Sequence, residues 1–484
     1  MKRKLLKKTA ALLVLLVMTV GCRSTGETES QSSAFSIDSS SDSSSSSSGS
    51  SLSSSVGSSS TDSSSATDSG SSSSSTSSTT AEIGSSSESE TYAAPETGEP
   101  TPSSSDSESS SSVSVTPEPP VPSSSAESSS SAPVTSEPLE ETTLQSLISR
   151  MSLKERVYQL FFVKPEQITG GWSTVLTPID LSEKPVGGIL YMGANLESVE
   201  QTRNMIAGTQ ANALLYNGIG IFVAVDEEGG RVARCANSLG TTAFDPMAVY
   251  GGRNDPDEAF NIGSTIGGDL RSLGFNVDFA PVADVNISPY NELGDRIFSS
   301  DPNVVGNMVA NVVRGMMSSG VSATLKHFPG LGAENGNTHT DTSIVIDRTL
   351  EQLRSEEFVP FRSGIQAGAE FVMVGHQQVS AFGDGLPADL SYKAVTEMLR
   401  GELGFDGIAI TDAQEMNTIS NVYYSRTAAV MSINAGIDMI LAPDDLDDAV
   451  NGVYDAVLSG VISEERLNES VTRILTLKQK MGLI

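Results

Sequence analysis

Seven charged side chains fall where short apolar runs of this sequence end. One run closes in Asp226-Glu227-Glu228-Gly229-Gly230-Arg231, another in Lys326-His327-Phe328-Pro329-Gly330, and a third in Thr411-Asp412. Carboxylates beside lysine and arginine can take up or release protons, attack an electrophile, or grip hydroxyl groups from both the donor and the acceptor side. A single aspartate such as Asp412 can equally be the N-cap of the helix that follows it. The chain has three histidines, His327, His339 and His376, and two cysteines, Cys22 and Cys235. No H-E-x-x-H and no Cys/His spacing links them, so neither a metal site nor any other cofactor is expected. His376 suits a buried structural role, and Cys235 that of a small core residue. Gly229 and Gly230 suit a turn better than a phosphate cradle, because Glu227 and Glu228 would repel an anion.

The runs that deliver these charges number eight: 160–163, 187–191, 221–225, 277–282, 323–326, 371–374, 408–411 and 438–441. Between most of them the spacing predicts helices, over 199–215, 257–273, 304–317, 350–365, 394–403 and 449–458. Strands with little polar alternation, separated by helices, form parallel sheets buried on both faces. Eight such units favour a single closed (β/α)8 TIM-type barrel over an open doubly wound sheet, and no GxGxxG follows the first strand. In a barrel the functional groups gather where strands end, which is where the charges lie.

The rest of the chain is of another kind. Lys2, Arg3, Lys4, Lys7 and Lys8 precede a short apolar stretch at 10–20, and Thr19-Val20-Gly21-Cys22 resembles the lipobox of bacterial lipoproteins. That resemblance implies a signal peptide over 1–21, an acylated Cys22 and anchoring at the outer face of the cell membrane. Residues 22–140 are Ser/Thr/Pro-rich and acidic, with little to bury, and are expected to form a disordered tether. A flexible coil of that length spans about 60 Å, more with self-repulsion. A barrel domain is then expected over 141–484. The net charge of -31, from 60 acidic and 29 basic residues, argues against nucleic acid as a partner. A monomer is expected.

The segment Thr324-Leu-Lys-His-Phe-Pro-Gly-Leu-Gly-Ala-Glu-Asn-Gly-Asn-Thr-His339 resembles family three glycoside hydrolases of the β-N-acetylhexosaminidase branch, whose pattern is K-H-F-P-G-H-G followed by D-S-H. Met151-Ser-Leu-Lys-Glu-Arg-Val-Tyr-Gln-Leu-Phe, Ala224-Val-Asp-Glu-Glu-Gly-Gly-Arg, Phe279-Ala-Pro-Val-Ala-Asp-Val-Asn, Asp295-Arg-Ile-Phe-Ser-Ser-Asp-Pro and Leu403-Gly-Phe-Asp-Gly-Ile-Ala-Ile-Thr-Asp-Ala-Gln-Glu-Met follow the family's order. The resemblance implies a retaining, exo-acting enzyme that removes terminal β-linked N-acetylhexosamine, chiefly N-acetylglucosamine, from peptidoglycan-derived or related glycans. It implies Asp412 as the nucleophile, His339 as the acid/base on a loop after the fifth strand, and Asp226, Arg296, Lys326 and His327 as contacts to the sugar. The roles are chemically apt: an oxocarbenium-like transition state needs a carboxylate below the anomeric carbon and a proton donor at the leaving oxygen.

Two residues depart from the pattern. Leu331 stands where the family has the second histidine, a change expected to alter loop packing. Asn337 stands where an aspartate pairs with the catalytic histidine, and it offers a dipole in place of a charge. Glu334 or Asp341 is the candidate substitute. Two other readings follow: a β-N-acetylglucosaminide phosphorylase or other family three β-glycosidase, and a catalytically impaired carbohydrate-binding protein at the cell surface.

Overall fold

The computed structural model describes residues 139–171 and 174–484. The leader, Cys22 and the expected tether through residue 138 lie outside the described residues. A helix over Leu139–Arg150 leads into the folded part, and Ser152 caps the next helix, Leu153–Gln159, through a reciprocal pair of bonds with Glu155.

Eight parallel strands follow: β1 (Phe161–Val163), β2 (Gly188–Leu190), β3 (Phe222–Val225), β4 (Val277–Asp278), β5 (Ser322–Phe328), β6 (Phe371–Val374), β7 (Ile408–Thr411) and β8 (Ile440–Leu441). Each pairs with its neighbour in sequence, and β1 also pairs with β8. The remaining seam, between β7 and β8, is bridged at Ile410 and Met439, with Thr411 N–H donating to Met439 O at 3.1 Å. The sheet therefore closes on itself as a TIM-type barrel, and Asp226, Lys326 and Asp412 lie at one rim of it.

Residues from strands that are not neighbours meet inside it. The rings of Phe222 in β3 and Phe371 in β6 lie 5.4 Å apart edge to face, and those of Phe162 in β1 and Phe279 beyond β4 lie 5.2 Å apart. The lumen is thus a packed core and not a channel. Truncating one such fully buried ring, as in Phe222→Ala, costs about 3–5 kcal/mol.

Outside the barrel, the helices Pro256–Leu273 and Pro302–Ser318 both open on an aspartate that caps, Asp255 or Asp301, followed by proline in the first turn. They pack closely because a Cβ at Gly263 would lie 2.1 Å from Val312 O, and one at Gly315 would lie 2.1 Å from Phe260 O. The helix expected over 350–365 is broken into Leu350–Ser355 and Phe358–Gln366. Pro360 supplies no N–H for the carbonyl of Glu356, so a continuous helix loses a bond there. The run at 277–282 is likewise cut after Asp278, since Pro281 cannot donate; Val282 rejoins the sheet through one bridge to Lys326. Residues Lys393–Glu402 form a π-helical segment.

Candidate active site

At the carboxyl ends of the strands lies a cavity of about 260 Å³. Asp226, Arg296, Lys326, His327, His339 and Asp412, drawn from β3, the segment after β4, β5, the loop after it and β7, all line it. Sequence separation of up to 186 residues is thus closed by the barrel alone.

The base of the cavity is an ion cluster. Lys326 Nζ lies 2.8 Å from Asp226 Oδ1 and 2.7 Å from Glu228 Oε1, with the lysine only 2% exposed. Arg296 grips Glu228 with two prongs, Nε to Oε2 and Nη2 to Oε1, both at 2.7 Å. Burial alone would push the Glu228 carboxyl up, yet Lys326 and Arg296 together hold it at about 2. Burial likewise opposes the charge on Lys326, and Asp226 followed by Glu228 overcome it, raising the ammonium above its usual range. Two of the three Lys326 protons are engaged, which leaves one for a ligand hydroxyl, while Asp226 retains an accepting oxygen.

The neighbouring acid has another task. Glu227 accepts the N–H groups of Cys235 at 2.6 Å and Ala236 at 2.9 Å, capping the helix Arg234–Leu239, and burial lifts its carboxyl to about 7. Between Glu227–Gly229 and Val232–Ala233 the chain turns through Gly229 and Gly230, whose φ angles of 91° and 55° bear out the turn reading. Cys235 is fully buried. The structure adds Glu228 and Arg234 to the cavity wall. The local sequence around Glu228 marks it as a repeller of anions, and nothing in one chain segment shows which cations fold onto it.

His327 is fixed by Asp284, whose Oδ2 accepts the His327 backbone N–H at 3.0 Å and lies 2.8 Å from Nδ1. The other oxygen of Asp284 accepts the Leu331 N–H at 2.6 Å. Leu331 packs into a small apolar cluster with Val282, Leu293 and Ile297, so the leucine at the family's histidine position does serve loop packing. With Nδ1 held, Nε2 is the ring atom left for a ligand.

Asp412 follows β7 directly. Its backbone N–H donates to Val374 O at 2.8 Å, and its Oδ1 accepts the Ala413 N–H at 2.7 Å. Burial is the largest influence on it and would raise the carboxyl; His327, His376, the Ala413 N–H and Lys326 outweigh burial and lower it. An ionised carboxylate thus faces the cavity from its floor.

His339 sits on the loop beyond β5, exposed at the mouth. Its backbone N–H donates to Asn337 Oδ1 at 2.9 Å, and its carbonyl accepts Asn417 Nδ2 at 2.6 Å. Asn337 therefore orients the backbone of His339 and does not touch its ring. Glu334 accepts N–H groups of Gly336 and Glu292, and Asp341 Oδ2 accepts the Asn337 N–H at 2.9 Å. Among the described residues none of these three lines the cavity or hydrogen-bonds the ring. Glu292, which the sequence did not single out, does line the cavity, and it accepts Thr338 Oγ1 at 2.7 Å and Thr338 N–H at 3.2 Å. Among the described residues no group of three or more His, Cys, Asp or Glu side chains is placed to hold a metal ion.

Residues 152–477 match the family model described as the glycosyl hydrolase family 3 N-terminal domain. The chain belongs to this family. The family 3 chain is 31% identical over 378 residues to a beta-hexosaminidase A of Pseudoalteromonas piscicida, an alignment covering 72% of this chain and 62% of the relative. It is 32% identical over 319 residues to a beta-hexosaminidase of Stenotrophomonas maltophilia, covering 61% of this chain and 92% of the relative. A solved family 3 beta-N-acetylglucosaminidase from Paenibacillus sp. superposes with a TM-score of 0.65 at 35% identity, over 69% of this chain and 63% of that one. The chain therefore spans somewhat under two thirds of the first and third of these relatives.

Proposed function

We propose that this family 3 barrel is a retaining, exo-acting glycoside hydrolase that removes terminal β-linked N-acetylhexosamine, N-acetylglucosamine foremost, through a covalent glycosyl-enzyme. One observation carries the reading: an ionised Asp412 facing a cavity it shares with the Asp226, Lys326 and Arg296 ion cluster, with His339 at the mouth. A cavity this small, below the ~300–1,000 Å³ of drug-sized sites, suits one sugar ring entering end-on. The names of the beta-hexosaminidase and beta-N-acetylglucosaminidase relatives support an amino sugar as that ring.

In the first half-reaction an Asp412 oxygen bonds to the anomeric carbon while the bond to the leaving oxygen breaks, and that oxygen takes a proton from His339. In the second, water bonds to the anomeric carbon and gives its proton to His339, and the electron pair of the breaking bond returns to Asp412. Asp226, Lys326, Arg296 and His327 hold the ring so that both steps act on one atom. The lipobox-like Thr19-Val20-Gly21-Cys22 and the serine-rich stretch after it support a barrel tethered at the outer face of the membrane, with peptidoglycan-derived glycans within reach.

Release of p-nitrophenol from the β-N-acetylglucosaminide, with and without phosphate, tests the reading. Release independent of phosphate, with a β-configured N-acetylglucosamine product by NMR, is expected. Formation of a sugar phosphate would assign a phosphorylase, and binding without release would assign a carbohydrate-binding protein.

A further inference from the structure

Behind Asp412 lies a buried imidazole that the steps above leave unused. His376, just beyond β6, is 1% exposed. Its Nε2 is 3.0 Å from the carbonyl oxygen of Ala413, the residue next to Asp412. Its Nδ1 is 3.1 Å from Asp389 Oδ1, on a carboxylate that is itself fully buried. This second contact is bent away from hydrogen-bond alignment, so charge more than direction holds it. A carbonyl oxygen only accepts, and so does an ionised carboxylate. A neutral imidazole has one N–H for these two acceptors and would turn a lone pair on the other. The other oxygen of Asp389, Oδ2, accepts Gln414 Nε2–H at 3.0 Å.

The groups facing the ring agree. Asp389 faces it from the turn Ala388–Leu390 and Asp412 from the end of β7, while the Ala413 carbonyl caps Nε2. Tyr423, whose hydroxyl burial raises to about 12, is neutral beside Asp389. His327 and Lys326 also act on Asp412. Burial opposes a charge on His376, but Asp389, then Asp412 and the carbonyl, lift it to about 9.

We propose that His376, held as an imidazolium by Asp389, is a positioning residue for the nucleophile: it fixes the backbone at Ala413 and places a buried positive charge behind the Asp412 carboxylate. The inference rests on Asp412 being the nucleophile. A cation there keeps Asp412 ionised at acidic pH. It also stabilises the carboxylate as it departs from the anomeric carbon, so its larger effect falls on the second half-reaction. His376 itself gains and loses no proton in either step.

The test uses the full chain and an activated aryl N-acetylglucosaminide. In His376→Gln the amide still donates to the Ala413 carbonyl but carries no charge. It should lower kcat roughly tenfold or more while kcat/KM falls less, show a burst of phenol, and shift the acid limb of kcat/KM to higher pH. A purely structural histidine would lower the melting temperature and reduce both constants together with no movement of the limb, and that outcome would overturn the proposal. Should His376→Gln fail to fold, Asp389→Asn and the ring itself provide the reading. With three histidines in the chain, 15N chemical shifts of the wild type near pH 8 should show one imidazolium that turns neutral in Asp389→Asn. Three neutral rings at that pH would overturn the proposal on their own. Full turnover by Asp412→Asn would instead remove the nucleophile reading, a separate failure.

Discussion

Arg296 and Glu228 meet in a parallel two-pronged ion pair, both contacts at 2.7 Å, and the same carboxylate holds Lys326 Nζ at 2.7 Å. One buried anion therefore keeps two cations in place in the cavity lining. Replacing it leaves Lys326 and Arg296 sharing Asp226. We expect Glu228→Gln to destabilise the domain by about 3–5 kcal/mol, read as a shift in the urea midpoint, because a buried charge without its partner is worse than no pair at all. The pH dependence has a definite sign. The folded-state value of about 2 lies below the ordinary 4.5, so the native state binds this proton less readily than the unfolded chain. Its stabilisation is complete above about 4.5 and is lost as pH falls through about 2, so the wild type should lose stability across that interval more steeply than Glu228→Gln.

Asp412→Asn and Asp412→Ala should remove turnover on p-nitrophenyl N-acetylglucosaminide while circular dichroism and melting stay near wild type. Among the described residues the side chain accepts a hydrogen bond from its own neighbour, Ala413 N–H, and asparagine can accept it too. A kcat in Asp412→Asn close to the wild type, with deamidation excluded by mass, would remove Asp412 from the chemistry.

The eight strands were legible because buried parallel strands read as uninterrupted apolar runs; 371–374 and 408–411 match to the residue. The helix over 350–365 was misjudged at Pro360, where periodicity continued but the hydrogen-bond ladder could not. Of the site, Asp226, Lys326, His327, Arg296, His339 and Asp412, which the structure gathers around one cavity, were legible because each lies in a motif. Glu228, Asp284 and Asp389 were not. Each acts by facing a group far along the chain, and a carboxylate in a sequence does not announce whether it will cap a helix, as Glu227 does, or neutralise a cation, as Glu228 does.

The anchoring proposal rests on Cys22 at the end of a basic, then apolar leader. In cells the mature protein should begin at an acylated Cys22 and sediment with membranes. Cys22→Ala should abolish labelling by a fatty-acid analogue and release the protein or leave its leader attached. Soluble wild-type protein that takes up no label would count against a lipid anchor.

The last expectation concerns the acid/base loop. His339 has to protonate the leaving oxygen and then take a proton from water, and a nearby carboxylate favours the first of these states. The structure puts an amide at 337 and uses its oxygen to hold the His339 N–H. Asn337→Asp keeps that bond, since a carboxylate accepts as well as an amide oxygen, and puts a negative charge on the group that holds the His339 backbone. A charge-assisted contact is worth about 1.5–3 kcal/mol, or roughly tenfold to a hundredfold in rate. The gain should appear with poor leaving groups, where protonation limits the rate, and should vanish with dinitrophenol, which departs unprotonated. Added negative charge favours the protonated ring, so the alkaline limb of kcat/KM should move to higher pH. Glu292 offers a control, because it already grips Thr338 beside His339. Should Asn337→Asp change nothing while Glu292→Gln slows poor leaving groups and lowers that limb, the charge is supplied by Glu292. Should neither variant move the limb, no carboxylate at 337 or 292 acts on His339.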